Sequence, residues 1–112
     1  MVRDAMARAD GWLMCRVGFV ETIRALGLVA GPAAVKAARR EWPAFAVIEV
    51  DQALVEDAAA LATTYELRSL DAVHLAAALL LPPDDLVFAT WDRRLQRSAG
   101  AVGLAVLPEA LT

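Results

Sequence analysis

The amino-acid sequence predicts an α/β fold in which a mostly parallel sheet lies between helices. Stretches with the pattern of a buried strand alternate along the chain with stretches whose apolar residues recur at helical spacing. Residues 86–90 are almost wholly apolar, which is typical of a parallel strand covered on both faces. With 112 residues, of which 59% are hydrophobic, the chain is long enough for one core, so residues 1–112 are predicted to form a single domain.

The amino-terminal part of the sequence predicts a strand between two helices. Residues 2–9 have the composition of the end of a helix, and the apolar run Trp12–Cys15 is predicted to be a short buried strand. Over residues 16–26, apolar side chains recur at helical spacing. Gly27 is expected to end this helix, because glycine is the residue most common just past a helix end.

The middle of the chain predicts a helix, a strand and a second helix. Pro32 suits the first position of a helix that ends before Trp42. Residues 45–50 have the composition of a strand. Asp51 is the expected N-cap of the following helix, which continues to about residue 65.

The carboxyl-terminal part predicts a helix before each of two strands. Ser69 is the expected cap of a helix that is apolar nearly all round and is therefore expected to be buried between other elements. Residues 86–90 form the next predicted strand, and residues 93–99 a short helix that Gly100 ends. Residues 104–107 are the last predicted strand.

Composition limits the classes of function. The net charge of −3 argues against a broad basic face that would bind nucleic acid by phosphate neutralisation alone. The single cysteine, Cys15, cannot form an intramolecular disulfide, which agrees with a reducing compartment. The most apolar stretch, residues 75–81, is shorter than the ~20 residues that a membrane span needs. No signal peptide is recognised, so a cytoplasmic protein with no membrane segment is expected.

Three acidic residues are the candidate functional site. Asp92 follows the predicted strand 86–90, where side chains of an α/β sheet face the ligand crevice. Asp71 lies in the first turn of its helix and Glu21 in a helix just after a strand, so the three carboxylates are expected to converge. Clustered carboxylates repel one another unless a cation neutralises them, and Mg²⁺ or Mn²⁺ suits oxygen ligands. Metal-dependent cleavage of RNA or DNA is the chemistry implied.

The segments around these carboxylates resemble acidic motifs of PIN-domain ribonucleases, particularly VapC-type toxins. The matching segments are Val20-Glu21, Leu70-Asp71-Ala72-Val73-His74-Leu75-Ala76 and Thr90-Trp91-Asp92-Arg93-Arg94-Leu95. The resemblance implies a PIN-like three-layer sandwich with a five-stranded parallel sheet, Mg²⁺-dependent RNA cleavage and a cognate antitoxin as partner. It also implies that Glu21, Asp71 and Asp92 are the catalytic and metal-binding residues, with the Thr90 hydroxyl assisting them.

One motif of the family has no counterpart in the sequence. Family members begin with an apolar strand that ends in an aspartate followed closely by serine or threonine, and neither Asp4 nor Asp10 follows such a strand. The chain is therefore expected to be a PIN domain without its amino-terminal portion, and a partner strand or self-association as a homodimer is expected to fill the gap. The main alternative function is a catalytically inactive PIN-like module that binds an antitoxin or self-associates. An unrelated structural α/β domain is the third.

Each acidic residue also has a structural explanation. Asp71 can simply favour the positive end of its helix, and Asp92 can be only an N-cap. Glu21 can be a surface residue paired with Arg24. His74, three residues after Asp71, is expected to be a hydrogen-bonded core residue rather than a metal ligand.

The arginines and tryptophans have the same two kinds of interpretation. Four arginines can guide a phosphate backbone beside the acidic pocket or be solvated surface: Arg68, Arg93, Arg94 and Arg97. Three tryptophans can stack on bases, but their wide separation favours a core or interface role: Trp12, Trp42 and Trp91.

Overall fold

The computed structural model describes residues 8, 11–82, 86–90 and 92–107. These residues divide into two units. The amino-terminal unit contains residues 11–50, and the carboxyl-terminal unit contains residues 51–107 together with Arg8. Each unit has its own pair of parallel strands.

The amino-terminal unit is built on two parallel strands joined by two helices. Its elements are β1 (Trp12–Cys15), α1 (Val17–Val29), α2 (Pro32–Glu41), a 3₁₀ turn (Trp42–Ala44) and β2 (Phe45–Ile48). The two strands pair in register from Trp12 opposite Phe45 to Cys15 opposite Ile48. Beyond the last pair, the Arg16 N–H donates to the Ile48 carbonyl at 2.9 Å, and the Arg16 guanidinium pairs with Glu49.

An aromatic cluster packs this unit together. Trp42 meets Phe19 of α1 edge to face at 4.8 Å between ring centroids and stacks on Phe45 at 5.7 Å. Trp12 lies 5.5 Å from Phe45, and the Arg39 guanidinium lies 5.3 Å from the centre of the Phe19 ring. Aromatic pairs at these distances contribute about 0.5–1.5 kcal/mol each beyond their buried area. Two of the three tryptophans thus have a structural role, and Trp91 lies outside the described residues.

The carboxyl-terminal unit places the residues of the candidate site. Its elements are α3 (Gln52–Tyr65), α4 (Ser69–Ala78), β3 (Val87–Ala89), α5 (Arg93–Ala101) and β4 (Ala105–Leu107). The strands pair in parallel, with Val87 opposite Ala105, and the Thr90 N–H extends the ladder to the Leu107 carbonyl at 3.0 Å. The core is made of small and branched apolar side chains from the helices: Leu54, Ala58, Ala72, Leu75, Ala76, Leu95 and Ala99.

Two glycines that were predicted to end helices lie inside them. Gly27 belongs to α1 and Gly100 to α5, and the chain turns instead at Gly31 (φ 87°) and Gly103 (φ 94°). A helix end of this kind requires a positive φ and an N–H that returns to the last turn, as the Gly31 N–H does to the Leu26 carbonyl at 2.9 Å. Glycine inside a helix costs only about 1 kcal/mol, so its presence alone does not end one.

Other predicted boundaries differ by one or two residues or agree. Pro32 opens α2 as predicted, and Asp51 caps α3, its Oδ1 accepting from the Leu54 N–H at 2.9 Å. The prediction that Ser69 is the cap of α4 is wrong by one residue. The Arg68 carbonyl accepts the first helical bond, from the Ala72 N–H at 3.0 Å, so Arg68 is the cap and Ser69 is already helical.

The predicted α/β class with parallel strands is confirmed. The predicted helix over residues 2–9 lies outside the described residues except for Arg8, which is helical. Within the described ranges, none of the helices has both the length and the apolar character needed to span a bilayer. That residues 1–112 form a single domain stays a prediction.

Candidate active site

Asp71 lies where the helix geometry favours a carboxylate. It is the third residue of α4, and its side chain is 18% exposed. The unpaired N–H groups of the first turn carry a partial positive charge that stabilises a negative side chain there. The following residue, Ala72, and Leu75 one turn later are fully buried, so the rest of the helix fixes the position of Asp71 against the core.

Asp92 lies between β3 and α5 and is held from two sides. Its Oδ1 accepts from the Leu95 N–H at 3.0 Å, and its own N–H donates to the Thr90 hydroxyl oxygen at 3.1 Å. Asp92 is therefore the N-cap of α5, and Oδ1 is the oxygen that makes the cap bond. A second oxygen, Oδ2, is left for another role.

The hydrogen bond from Leu95 also sets the charge of Asp92. That N–H holds the pKa of the Asp92 carboxyl below its ordinary value of 3.8. The Arg94 N–H and the charges of Arg68 and Arg94 act in the same direction, while partial burial opposes them. Asp92 is consequently a carboxylate at neutral pH, which is the form that binds a cation.

One arginine joins the two aspartates. The Arg68 Nε donates to Asp71 Oδ2 at 2.8 Å, and its Nη2 donates to Asp92 Oδ2 at 2.7 Å. Both nitrogens belong to the same planar guanidinium, so the two carboxylates contact one cation. The residues that carry them are 21 positions apart in the sequence. The structure thus brings Asp71 and Asp92 together, as the sequence predicted.

This pair of carboxylates fits a hard divalent ion. Each presents one oxygen to a shared positive charge, and oxygen donors are those that Mg²⁺ and Mn²⁺ prefer. The guanidinium marks the place between the oxygens where a cation is stabilised. Within the described part of the chain, no three histidine, cysteine, aspartate or glutamate side chains come together as a ready metal site.

Glu21 lies in the other of the two units. It is a partly buried residue of α1 in the amino-terminal unit. Its convergence with Asp71 and Asp92 stays a prediction.

The four arginines singled out in the sequence meet at one cleft. The open cleft has a volume of about 510 Å³ and is lined by Arg68, Asp92, Arg93, Arg94 and Arg97. Guanidinium groups match the geometry of phosphate and bind it through paired hydrogen bonds. The cleft therefore combines a carboxylate with a cationic wall, which suits a substrate that carries phosphates.

The bridging role of Arg68 was missed by sequence reasoning. The spacing of three residues between Arg68 and Asp71 on one helix was a usable signal for their ion pair. Nothing in the sequence signals the pair with Asp92, which lies 24 positions from Arg68. His74 is partly buried on α4, three residues from Asp71. Its role as a hydrogen-bonded core residue stays a prediction.

With this fold and site, the chain belongs to the PIN domain family, whose pattern matches residues 1–101. The family resemblance predicted from the acidic motifs is confirmed.

The similar proteins are ribonucleases by name. Over 70 residues the chain is 43% identical to Ribonuclease VapC45 of Mycobacterium tuberculosis strain CDC 1551 / Oshkosh and to Ribonuclease VapC49 of strain H37Rv, covering 62% of this chain and 49% of each relative. It is 39% identical over 106 residues to Ribonuclease VapC46 of strain H37Rv, covering 95% of this chain and 72% of that protein. The chain thus spans about half the length of the first two relatives. Among solved structures there is no significant match.

Proposed function

We propose that this protein is an endoribonuclease of the VapC type that depends on Mg²⁺ or Mn²⁺ and cleaves RNA at the carboxylates of Asp71 and Asp92. The observation that carries the proposal is the sharing of one cation by these two side chains. The names of the relatives support RNA as the substrate. Glu21 is proposed as the third carboxylate on the resemblance of its motif alone.

The residues of the site have separate tasks in this proposal. Asp92 is positioned by its cap bond to Leu95, which leaves Oδ2 free of the helix and aimed at the cation. Asp71 contributes the second oxygen from the first turn of α4. A divalent ion bound there would acidify a water and stabilise charge on the phosphate oxygens.

Other residues of the site would bind and position the RNA. Arg93, Arg94 and Arg97 line the cleft beside Asp92 and would bind the phosphate backbone of RNA. Thr90 accepts the Asp92 N–H and so fixes the backbone that carries this carboxylate, which gives its proposed assisting role a physical basis.

The direct test is Mg²⁺-dependent cleavage of RNA by the wild type, Asp71→Asn and Asp92→Asn. Asparagine keeps the shape of each side chain but loses the charge, so both variants are expected to lose most of the activity. Asp57→Asn is the matched control, because Asp57 is an exposed residue of α3 on a different groove. Equal activity in all four proteins would reject the assigned roles.

Glu21 needs its own comparison. Glu21→Gln is expected to lower the Mg²⁺-dependent activity, whereas Glu41→Gln, a change of the same kind at an exposed position that ends α2, is expected to leave it unchanged. An unchanged Glu21→Gln would leave a site of two carboxylates.

A second candidate function is a PIN-like binding module without catalysis. The observation that favours it is that Arg68 already neutralises both aspartates. This candidate predicts no Mg²⁺-dependent cleavage from a folded wild type and no difference between the wild type and Asp71→Asn.

The proposed partner is a cognate antitoxin, and the proposed location is the cytoplasm, both by analogy with the family. Self-association as a homodimer is proposed as well. Light scattering measures it directly, and a monodisperse monomer would contradict it.

A further inference from the structure

We propose that Arg68 is a built-in counter-ion, which holds Asp71 and Asp92 together before the divalent ion binds and then competes with that ion for them. The inference rests on the metal-dependent function proposed above. It adds a positioning residue to that site.

The contacts of Arg68 are those of a cation between two ligands. Its Nε and Nη2 reach the Oδ2 atoms of two different carboxylates, at 2.8 and 2.7 Å. In Asp92 this is the oxygen that the Leu95 N–H does not use. The guanidinium therefore occupies the oxygens that a metal ion would need.

A divalent ion and the guanidinium compete for these oxygens. They are both positive, so they repel each other when they bind neighbouring lone pairs of the same two carboxylates. Binding of the ion is therefore expected to displace the Arg68 guanidinium from Asp71 and Asp92. The cost of this displacement lowers the apparent metal affinity of the wild type.

The same contacts also maintain the site without metal. Two facing carboxylates repel each other, and the Arg68 charge removes that repulsion. Because Asp71 lies in the first turn of α4 and Asp92 caps α5, the guanidinium links the beginnings of two helices. The site is consequently assembled before the ion arrives.

Arg68 is placed so that it can leave. It is the cap residue before α4, with an extended backbone, and its side chain is 72% exposed. It also lines the cleft with Arg93, Arg94 and Arg97, so the displaced guanidinium has a phosphate-binding surface beside it.

The test is a calorimetric titration of the full chain with Mn²⁺ in the absence of RNA. Arg68→Gln is expected to bind Mn²⁺ roughly 2- to 30-fold more tightly than the wild type, which is the factor for two exposed ion pairs. Arg97→Gln is the matched control, because it removes the same charge from the same cleft but leaves both contacts of Arg68 to Asp71 and Asp92 in place.

Two further variants keep the experiment decisive. Arg68→Lys keeps the charge, but an ammonium lacks the planar fork, so its Mn²⁺ affinity is expected to lie between those of the wild type and Arg68→Gln. This variant carries the comparison if the glutamine variant does not fold. Asp71→Asn is expected to bind Mn²⁺ poorly, both alone and combined with either Arg68 substitution.

The outcomes separate this inference from the proposed function. If Asp71→Asn loses Mn²⁺ binding but Arg68→Gln gains no more affinity than Arg97→Gln, the counter-ion role is overturned and the metal site stands. Weaker binding by Arg68→Gln overturns the role as well. If neither the wild type nor Arg68→Gln binds Mn²⁺, both the inference and the metal-dependent function are overturned.

Discussion

Replacement of Asp92 by asparagine and by alanine separates its role as a helix cap from its role as a metal ligand. The chain contains a matched cap for comparison. Asp51 Oδ1 accepts from the Leu54 N–H at 2.9 Å, as Asp92 Oδ1 does from the Leu95 N–H at 3.0 Å. The Asp92 carboxylate also forms an ion pair with Arg68 through its other oxygen.

The contacts that each substitution removes set the size of its effect. Loss of a cap costs about 1 kcal/mol, so Asp51→Ala is expected to lower the free energy of unfolding by about that amount. Asp92→Ala also loses an exposed ion pair, worth about 0.2–1 kcal/mol more. Asparagine still accepts from the helix N–H, so Asp92→Asn is expected to lose only the ion-pair contribution.

Urea denaturation in EDTA and in MgCl₂ measures both roles. At Mg²⁺ ten times its dissociation constant, a bound ion stabilises the wild type by about 1.4 kcal/mol. This gain is expected to disappear in Asp92→Asn and to persist in Asp51→Asn. A full Mg²⁺ gain in Asp92→Asn would show that Asp92 is a cap and nothing more.

Three further predictions concern the fold and its pH dependence. Leu75→Ala is expected to lower the free energy of unfolding by about 2–5 kcal/mol in urea, because Leu75 is fully buried. Gly100→Ala is expected to raise the melting temperature, since Gly100 is helical with open space around it. Gly103→Ala is expected to lower the melting temperature, since the φ of Gly103 is 94°. A change of the same sign in both variants would contradict the assigned helix end. The lowered pKa of Asp92 is expected to stabilise the folded state above pH 3.8, and this stability is lost as the pH falls through the lower pKa of the folded protein. Between pH 6 and pH 2, the free energy of unfolding is therefore expected to fall less in Asp92→Asn than in the wild type.

The sequence predicted the order of elements because apolar periodicity is a local property. The strand Trp12–Cys15 has the predicted bounds, and α3 follows the Asp51 cap as expected. Helix ends were harder to predict, because residue type does not distinguish the glycines inside helices, Gly27 and Gly100, from those at which the chain turns. A glycine ends a helix through its φ and its returning hydrogen bonds, which depend on the chain that follows.

The candidate site was predictable as far as its acidic residues. Asp71 and Asp92 were recognised because a carboxylate in an apolar helix and one after a buried strand each need a physical reason. Arg68 was interpreted as a phosphate contact or as solvated surface, because its second ion pair crosses 24 positions of sequence and depends on how α4 and α5 begin side by side. Long-range pairs of this kind are visible only in the folded chain.

The most direct test of the central claim is the position of Mn²⁺ in a crystal of the protein, found by its anomalous scattering. The account predicts one site at which Asp71 Oδ2 and Asp92 Oδ2 both contact the ion and the Arg68 guanidinium has moved away. An ion bound elsewhere, with Arg68 still paired to both aspartates, would contradict it.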